Sequence, residues 1–197
     1  MATVEAQRVA RSIPDLTPTA AAGRVKGAYL WAAGRILLGW VFLWAFLDKA
    51  FALGFSTGRN PETGAVDLFG EGAAWLNGGS PTAGVLQYAT KGPFKALYGE
   101  LAGAAWVDWA YMGSMLLIGL ALIAGVGVRA AAIGGIAWLI LFHTATALPP
   151  EHNPIVDDHA LYAVVLAGVA YVGAGRYLGL GRWWEGTALV RRFPFLR

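Results

Sequence analysis

Cysteine is absent from the sequence, which excludes disulfide exchange, thiolate-held iron–sulfur clusters and thiolate zinc sites from this chain. Charge is scarce as well: Asp, Glu, Lys and Arg supply 14% of 197 residues, where soluble domains carry about a quarter. In their place stands apolar chain, with 57% of residues hydrophobic and a mean hydropathy of +0.52. These proportions predict an integral membrane protein and leave no room for a large soluble catalytic domain. A bilayer core of about 30 Å takes roughly 20 helical residues per crossing, so the chain accommodates about four spans and one sizeable loop. The net charge of +3 does not point to nucleic acid, because the basic residues flank apolar stretches rather than gathering on a soluble face.

Residues 1–28 are polar, with Pro14, Pro18, Arg8, Arg11, Arg24 and Lys26 and no apolar period, and read as a flexible tail. The first span is expected over about 29–53. Its uninterrupted apolar core, Ile36 to Leu47, is short and lies between Arg35 and the pair Asp48 and Lys49. Crossing therefore requires Arg35 to snorkel and the pair to reach the opposite interface or face protein. The rival reading is a cleaved signal peptide, because Ala50-Phe51-Ala52 mimics a cleavage site, but the charges just before it and the long lead argue against that. Three more spans follow at about 107–128, 130–147 and 159–178. The second closes at Arg129, the third at Pro149-Pro150, and the fourth runs toward Arg176, with Trp183 and Trp184 marking an interface. Trp106 and Trp109 at one end, with Tyr29 and Trp31 at the other, fit aromatic belts. The expected fold class is all-α: a membrane four-helix bundle over 29–181, with a helical outer loop at 54–105 and a basic segment at 182–197.

Most of the 15 basic residues lie in the tail, at Arg35 and Arg129, and in Arg176, Arg182, Arg191, Arg192 and Arg197. That side is expected to be cytoplasmic, which places both termini inside a bacterial-type plasma membrane. Within the outer loop, Leu68, Phe69, Trp75, Leu86 and Phe94 call for burial, while Ser80-Pro81 and Gly92-Pro93 open short helices. The loop is expected either to cap the spans or to dock a second subunit. Small residues four apart, Ala121 and Gly125, Ala131 and Gly135, Ala163 and Ala167, predict close helix approach.

Mapped by depth at 1.5 Å per residue, nearly all ionisable residues near the spans fall at the outer end. Asp48 and Lys49 close the first span, Asp108 opens the second, and His143 lies about one turn from the end of the third. Glu151, His152, Asp157, Asp158 and His159 occupy the third connection, so all three histidines share this level. Charges at membrane depth cost several kcal/mol unless paired or functional, so the clustering predicts a shared polar site. Three chemistries use such residues. Quinone redox needs proton-transferring groups near each carbonyl oxygen and a lipid-open slot. A metal would draw on His143, His152, His159 and Asp157, although no standard ligand spacing is present. A b-type haem would need His143 and His159 as axial ligands, with His159 almost outside the membrane. Helix capping competes for Asp157 and Asp158.

The first span as written, Gly34-Arg35-Ile36-Leu37-Leu38-Gly39-Trp40 through Asp48-Lys49, resembles the opening helix of the DoxX family of small membrane proteins. Leu116 to Leu122, leading to Gly127-Val128-Arg129, is similar to that family's second helix and basic turn. The stretch from Glu151-His152-Asn153-Pro154 to Asp157-Asp158-His159-Ala160-Leu161-Tyr162 resembles the Asn-Pro and Asp-His-x-x-Tyr segment of its DoxD-like members. The likeness covers roughly residues 29–184. It implies a four-helix fold and the large subunit of a thiosulfate:quinone oxidoreductase, which oxidises thiosulfate to tetrathionate, passes electrons to quinone and works with a small second subunit.

The leading expectation combines this resemblance with the polar cluster. His159 and Asp158 would bind or protonate the quinone head, Asp48 and His143 would complete the polar wall, and Lys49 would help hold an anionic donor. His152, Asp157 and Tyr162 complete the expected quinone-contacting set. Besides membrane lipid, the expected partners are a small subunit or soluble redox enzymes, with an oligomer also open and no nucleic acid. The competing expectations are a non-catalytic scaffold anchoring soluble redox enzymes through Arg182, Arg191 and Arg192, and a small-solute transporter, which the absence of inverted repeats disfavours.

Overall fold

The computed structural model describes residues 18–150 and 156–196, with side chains from residue 27 onward. The helices are α1 (Pro18–Phe51), α2 (Lys95–Glu100), α3 (Ala105–Ala124), α4 (Val128–Thr146), α5 (Asp158–Tyr171), α6 (Gly181–Glu185) and α7 (Ala188–Arg192), with a π-helical turn at Val85–Ala89. Among the described residues there is no strand, only one isolated bridge between Arg59 and Val66. Among the described residues three helices are long and apolar enough to cross a membrane: Gly27–Phe51 within α1, α3 and α4, at mean hydropathies of 1.7, 1.7 and 1.5. Helix α5 is apolar but has only 14 residues.

Two boundaries differ from the sequence reading. Helix α1 begins at Pro18, inside the expected tail, because proline suits the first helical position and Ala20-Ala21-Ala22 favour continuation. The expected fourth span to 178 is divided. Helix α5 stops at Tyr171 ahead of Gly173, whose φ of 64° is left-handed, and a 3-10 turn follows at Ala174–Arg176.

Helix α1 packs on α3, α3 on α4, α4 on α5, and α5 back on α1. The enclosed core is built from Leu38, Phe42, Met112, Met115, Leu122, Leu139, Leu166 and Val169. Glycine sets the closest approach: a Cβ on Gly39 would lie 2.9 Å from the Ile123 nitrogen, and one on Gly119 would lie 2.7 Å from that of Leu43. Of the expected small pairs, Gly135 does meet a neighbour closely, since a Cβ there would come 2.8 Å from Leu166. On the outward faces Leu37, Leu117, Ile133 and Val164 are about two-thirds exposed (67, 69, 67 and 70%), which suits hydrocarbon and not water. Among the expected belt aromatics, Trp106 and Trp109 are exposed, whereas Trp31 lies over Gly168 of α5.

The two ends of this assembly are chemically unlike. At the arginine end, Arg35 does not snorkel. It is fully buried, with Nη1 donating to the carbonyls of Leu122 and Ile123, the latter at 3.0 Å, and Nη2 donating to Tyr177 and Leu178 at 3.2 and 2.8 Å. Leu122 and Ile123 carry last-turn carbonyls of α3, which have no partner within the helix. A cation at this negative pole of the helix is favourable.

At the histidine end the loop from residue 52 to 104 is pinned to the helix ends. Asp48, buried, accepts hydrogen bonds from Phe55 N–H (3.0 Å), Ser56 N–H (2.9 Å) and Ser56 Oγ (2.5 Å). Asp108, also buried, accepts from Thr82 N–H (3.1 Å) and Thr82 Oγ1 (2.6 Å). The Lys91 amide donates to the Ala145 carbonyl at 2.8 Å, and Tyr98 shares a 2.7 Å hydrogen bond with Thr144. Segments remote in sequence are thereby held as a roof over α1, α3 and α4.

Candidate functional site

Asp157 organises the histidine end. It is the N-cap of α5, in extended conformation, and its Oδ1 accepts from Ala160 N–H at 3.1 Å. The last turn of α4 brings His143 Nδ1 to 2.8 Å from Oδ1, and the first turn of α5 brings His159 Nδ1 to 2.5 Å from Oδ2. The carboxylate side chain is 10% exposed and the imidazoles 27% and 25%. Burial pushes the Asp157 carboxyl up, but hydrogen bonds from His159, Ala160 N–H and His143 outweigh it and hold the group below the usual carboxylate range.

An ionised carboxylate only accepts, so both imidazoles donate from Nδ1, and an imidazole in the Nδ1–H tautomer has its lone pair on Nε2. Neither Nε2 has a hydrogen-bond partner among the described residues. The arrangement presents two oriented bases, suited to proton exchange or, through the same nitrogens, to a ligand. Asp158 stands outside it: its side chain is 69% exposed, with Oδ1 3.5 Å from His159 Nδ1. Asp157, Asp158 and His159 bring donor atoms within 4.8 Å of one another, a closeness that capping and the histidine hydrogen bonds already explain.

Beneath the roof lies an apolar hollow of about 270 Å³, walled by Val85, Leu86, Tyr98, Leu101, Trp106, Val107, Trp138, Leu141 and Phe142. A smaller one of about 110 Å³ shares Val85, Leu86, Val107, Trp138 and Phe142 with it and reaches Lys49, Thr82 and Tyr111. Lys49 Nζ donates to Ser56 Oγ at 3.1 Å and sits 5.9 Å from the centre of the Tyr111 ring. Edge-on contacts with Trp138 and Phe142 fix that ring, while its hydroxyl makes no hydrogen bond among the described residues. The other wall residue, Phe142, stacks on His159 with ring centres 5.7 Å apart and planes at 16°. Phe142 thus touches the Asp157 cluster on one side and lines both hollows.

The expected site residues are only partly united. His143, Asp157 and His159 meet directly, Asp158 stands at their edge, and Lys49 lines the adjoining hollow. Asp48 turns to Phe55 and Ser56, so it anchors the roof rather than joining the histidines. Tyr162 packs against the core and forms no hydrogen bond among the described residues. His152 and Glu151 lie outside the described residues. The sequence reading missed Phe142, Trp138, Tyr111 and the Thr82–Asp108 pair. A signal for Tyr111 existed, since it stands three residues after Asp108 and therefore on the same helix face.

Compared with protein-family models, with curated proteins and with solved structures, the chain gives no match.

Proposed function

We propose that the protein is a DoxX-like membrane subunit of a quinone-linked oxidoreductase, with thiosulfate as the electron donor that the sequence resemblance suggests. The observation that carries this reading is the pair of imidazoles on one carboxylate, linked through Phe142 to an apolar hollow and to the smaller hollow that Lys49 lines. In this reading α5 and the turn after it form a fourth crossing, completing a four-span bundle. A 14-residue helix reaches only about 21 Å, so the Ala174–Arg176 turn supplies the remainder. The arginine end faces the cytoplasm and the histidine end faces outward.

The residues present fit a quinone. The larger hollow offers apolar walls for ring and tail, the smaller one has Lys49 and Tyr111 in its lining as candidate donors to a carbonyl oxygen, and the outer end carries candidate proton-exchanging groups. Bound quinone supplies a two-electron, two-proton acceptor for the electrons released when two thiosulfates join as tetrathionate. Lys49 would orient the head of a bound quinone by hydrogen bonding from Nζ. His159 and His143 exchange protons with outer water at Nε2, while Asp157 holds both rings and stabilises whichever is protonated. Phe142 stacks on His159 and lines both hollows, so the two protons that a quinone head takes up would pass the edge of its ring. Asp48 and Asp108 act at a distance, by holding the roof shut.

The test is quinone reduction by membranes containing the full chain and supplied with thiosulfate. His159→Ala is expected to lower the rate by about a hundredfold, the usual scale of general acid–base catalysis. Asp157→Asn should lower it less and shift its pH profile. A folded His159→Ala protein that reduces quinone at the parental rate would remove this reading.

A further inference from the structure

Among the described residues, several cations of the arginine end have no carboxylate partner. Within residues 176–196 the sole acid is Glu185, and Arg176 occupies it, with Nε donating to both carboxylate oxygens at 2.9 and 3.0 Å. Arg182 lies over the Tyr177 ring, Arg191 donates to the Gly186 carbonyl and Arg192 lies over the Phe193 ring. None of the three meets a carboxylate among the described residues. Arg129 is exposed in the first turn of α4, where the helix dipole disfavours a cation and no side chain caps the amides. A hollow of about 110 Å³ opens between Arg129, Arg176 and Trp184.

Bulky apolar groups are interleaved with these cations and face outward: Trp183 is 66% exposed, Phe195 61% and Leu189 48%. The segment is nonetheless held in place. Leu180 N–H donates to the Ala124 carbonyl at the end of α3, Trp184 Nε1 donates to the Leu196 carbonyl at 2.6 Å, and Val190 is buried. It therefore lies level with the ends of helices apolar enough to cross a membrane. Water would suit the arginines but not the tryptophan and phenylalanine; hydrocarbon would suit the reverse. The headgroup boundary of a bilayer serves both.

We infer that residues 177–196, together with Arg129, form a docking surface for anionic phospholipid, with Arg182, Arg191 and Arg192 on headgroup phosphates and Trp183, Leu189 and Phe195 at the acyl boundary. Charge complementarity selects anionic over zwitterionic lipid, and the fixed level of the segment favours lipid over a soluble protein partner. This inference is independent of any redox activity.

Because the chain has no native cysteine, a spin label on Trp183→Cys or Leu189→Cys reports one position of the full protein in vesicles. In phosphatidylglycerol vesicles both labels should collide with oxygen far more than with a water-soluble nickel complex, unlike a reference label at Glu62→Cys in the outer loop. Spin-labelled phosphatidylglycerol should also associate with the protein in preference to phosphatidylcholine. Changing Arg182, Arg191 and Arg192 together to Gln should reduce the binding preference for the anionic lipid by on the order of a hundredfold, and Lys at all three positions should restore most of it. Labels at 183 and 189 as open to the nickel complex as the loop reference would overturn the inference. So would a preference for phosphatidylglycerol unchanged in the Gln variant, or labels shielded only after a soluble protein is added.

Discussion

The histidine end and the arginine end bury charge of opposite sign by the same physical device. At the first, three carboxylates each collect two or more donors: Asp48 from Phe55 and Ser56, Asp108 from Thr82, Asp157 from Ala160, His143 and His159. At the second, a single guanidinium distributes its donors over four carbonyls. The sign follows what each end has to satisfy. A roof of loop and cap exposes amides, which call for acceptors; the end of α3 and the turn after α5 expose carbonyls, which call for donors. A buried charge is thus tolerated where it finishes the backbone's hydrogen bonding. The ends differ in what is left over: among the described residues the Nε2 atoms of His143 and His159 have no partner and both rings are partly exposed, whereas the unpartnered Nε of Arg35 is buried.

The largest expected effect comes from breaking the arginine end. Arg35→Ala leaves four carbonyls short of a donor and opens a cavity, and should cost about 3–5 kcal/mol in a denaturant titration in detergent. Arg35→Lys should recover less than half of that, because an ammonium cannot span two pairs of carbonyls as a planar fork does. At the opposite end, Asp48→Ala should cost about 2–3 kcal/mol. It should also open the roof near Phe55 and Ser56 to limited proteolysis, an outcome that Arg35→Lys should not produce. If both variants loosened the same segment, the two ends would not be separate devices.

A smaller effect distinguishes Asp157. Its native carboxyl loses its proton more readily than the unfolded one, so this contribution is complete above the ordinary value near 4. It is lost as pH falls through the lower native value. Thermal unfolding followed from pH 6 to pH 2 should therefore show acid destabilisation that Asp157→Asn diminishes, with about 1–2 kcal/mol lost at neutral pH through the weakened cap and histidine bonds. The smallest effect belongs to the exposed Arg176–Glu185 pair: Glu185→Gln should change stability by less than about 1 kcal/mol, and added salt should erase the difference.

Depth was legible in the sequence and azimuth was not. Counting residues along each span puts Asp48, Asp108, His143 and His159 at one level, and the cap preference of an acidic residue before a helix points to Asp157 or Asp158 without choosing the first, which is the cap. Which side chain faces which depends on helix rotation and on loop partners distant in sequence. By level alone Asp48 falls with histidines that it does not meet, and nothing in the sequence pairs Thr82 with Asp108. Arg35 illustrates the limit most clearly. Flanking an apolar core, it carries the signature of a snorkelling residue, and only the arrival of Leu122, Ile123, Tyr177 and Leu178 around it converts it into a buried clasp.

That clasp also bears on how the chain is made. The carbonyls that receive Arg35 lie 87 and 88 residues later on α3 and 142 and 143 residues later beyond α5. Synthesis therefore delivers the cation in the first apolar helix long before its acceptors exist. Until Tyr177 and Leu178 emerge, the charge on α1 must stay wet, and a segment made much later lets the earlier helix settle.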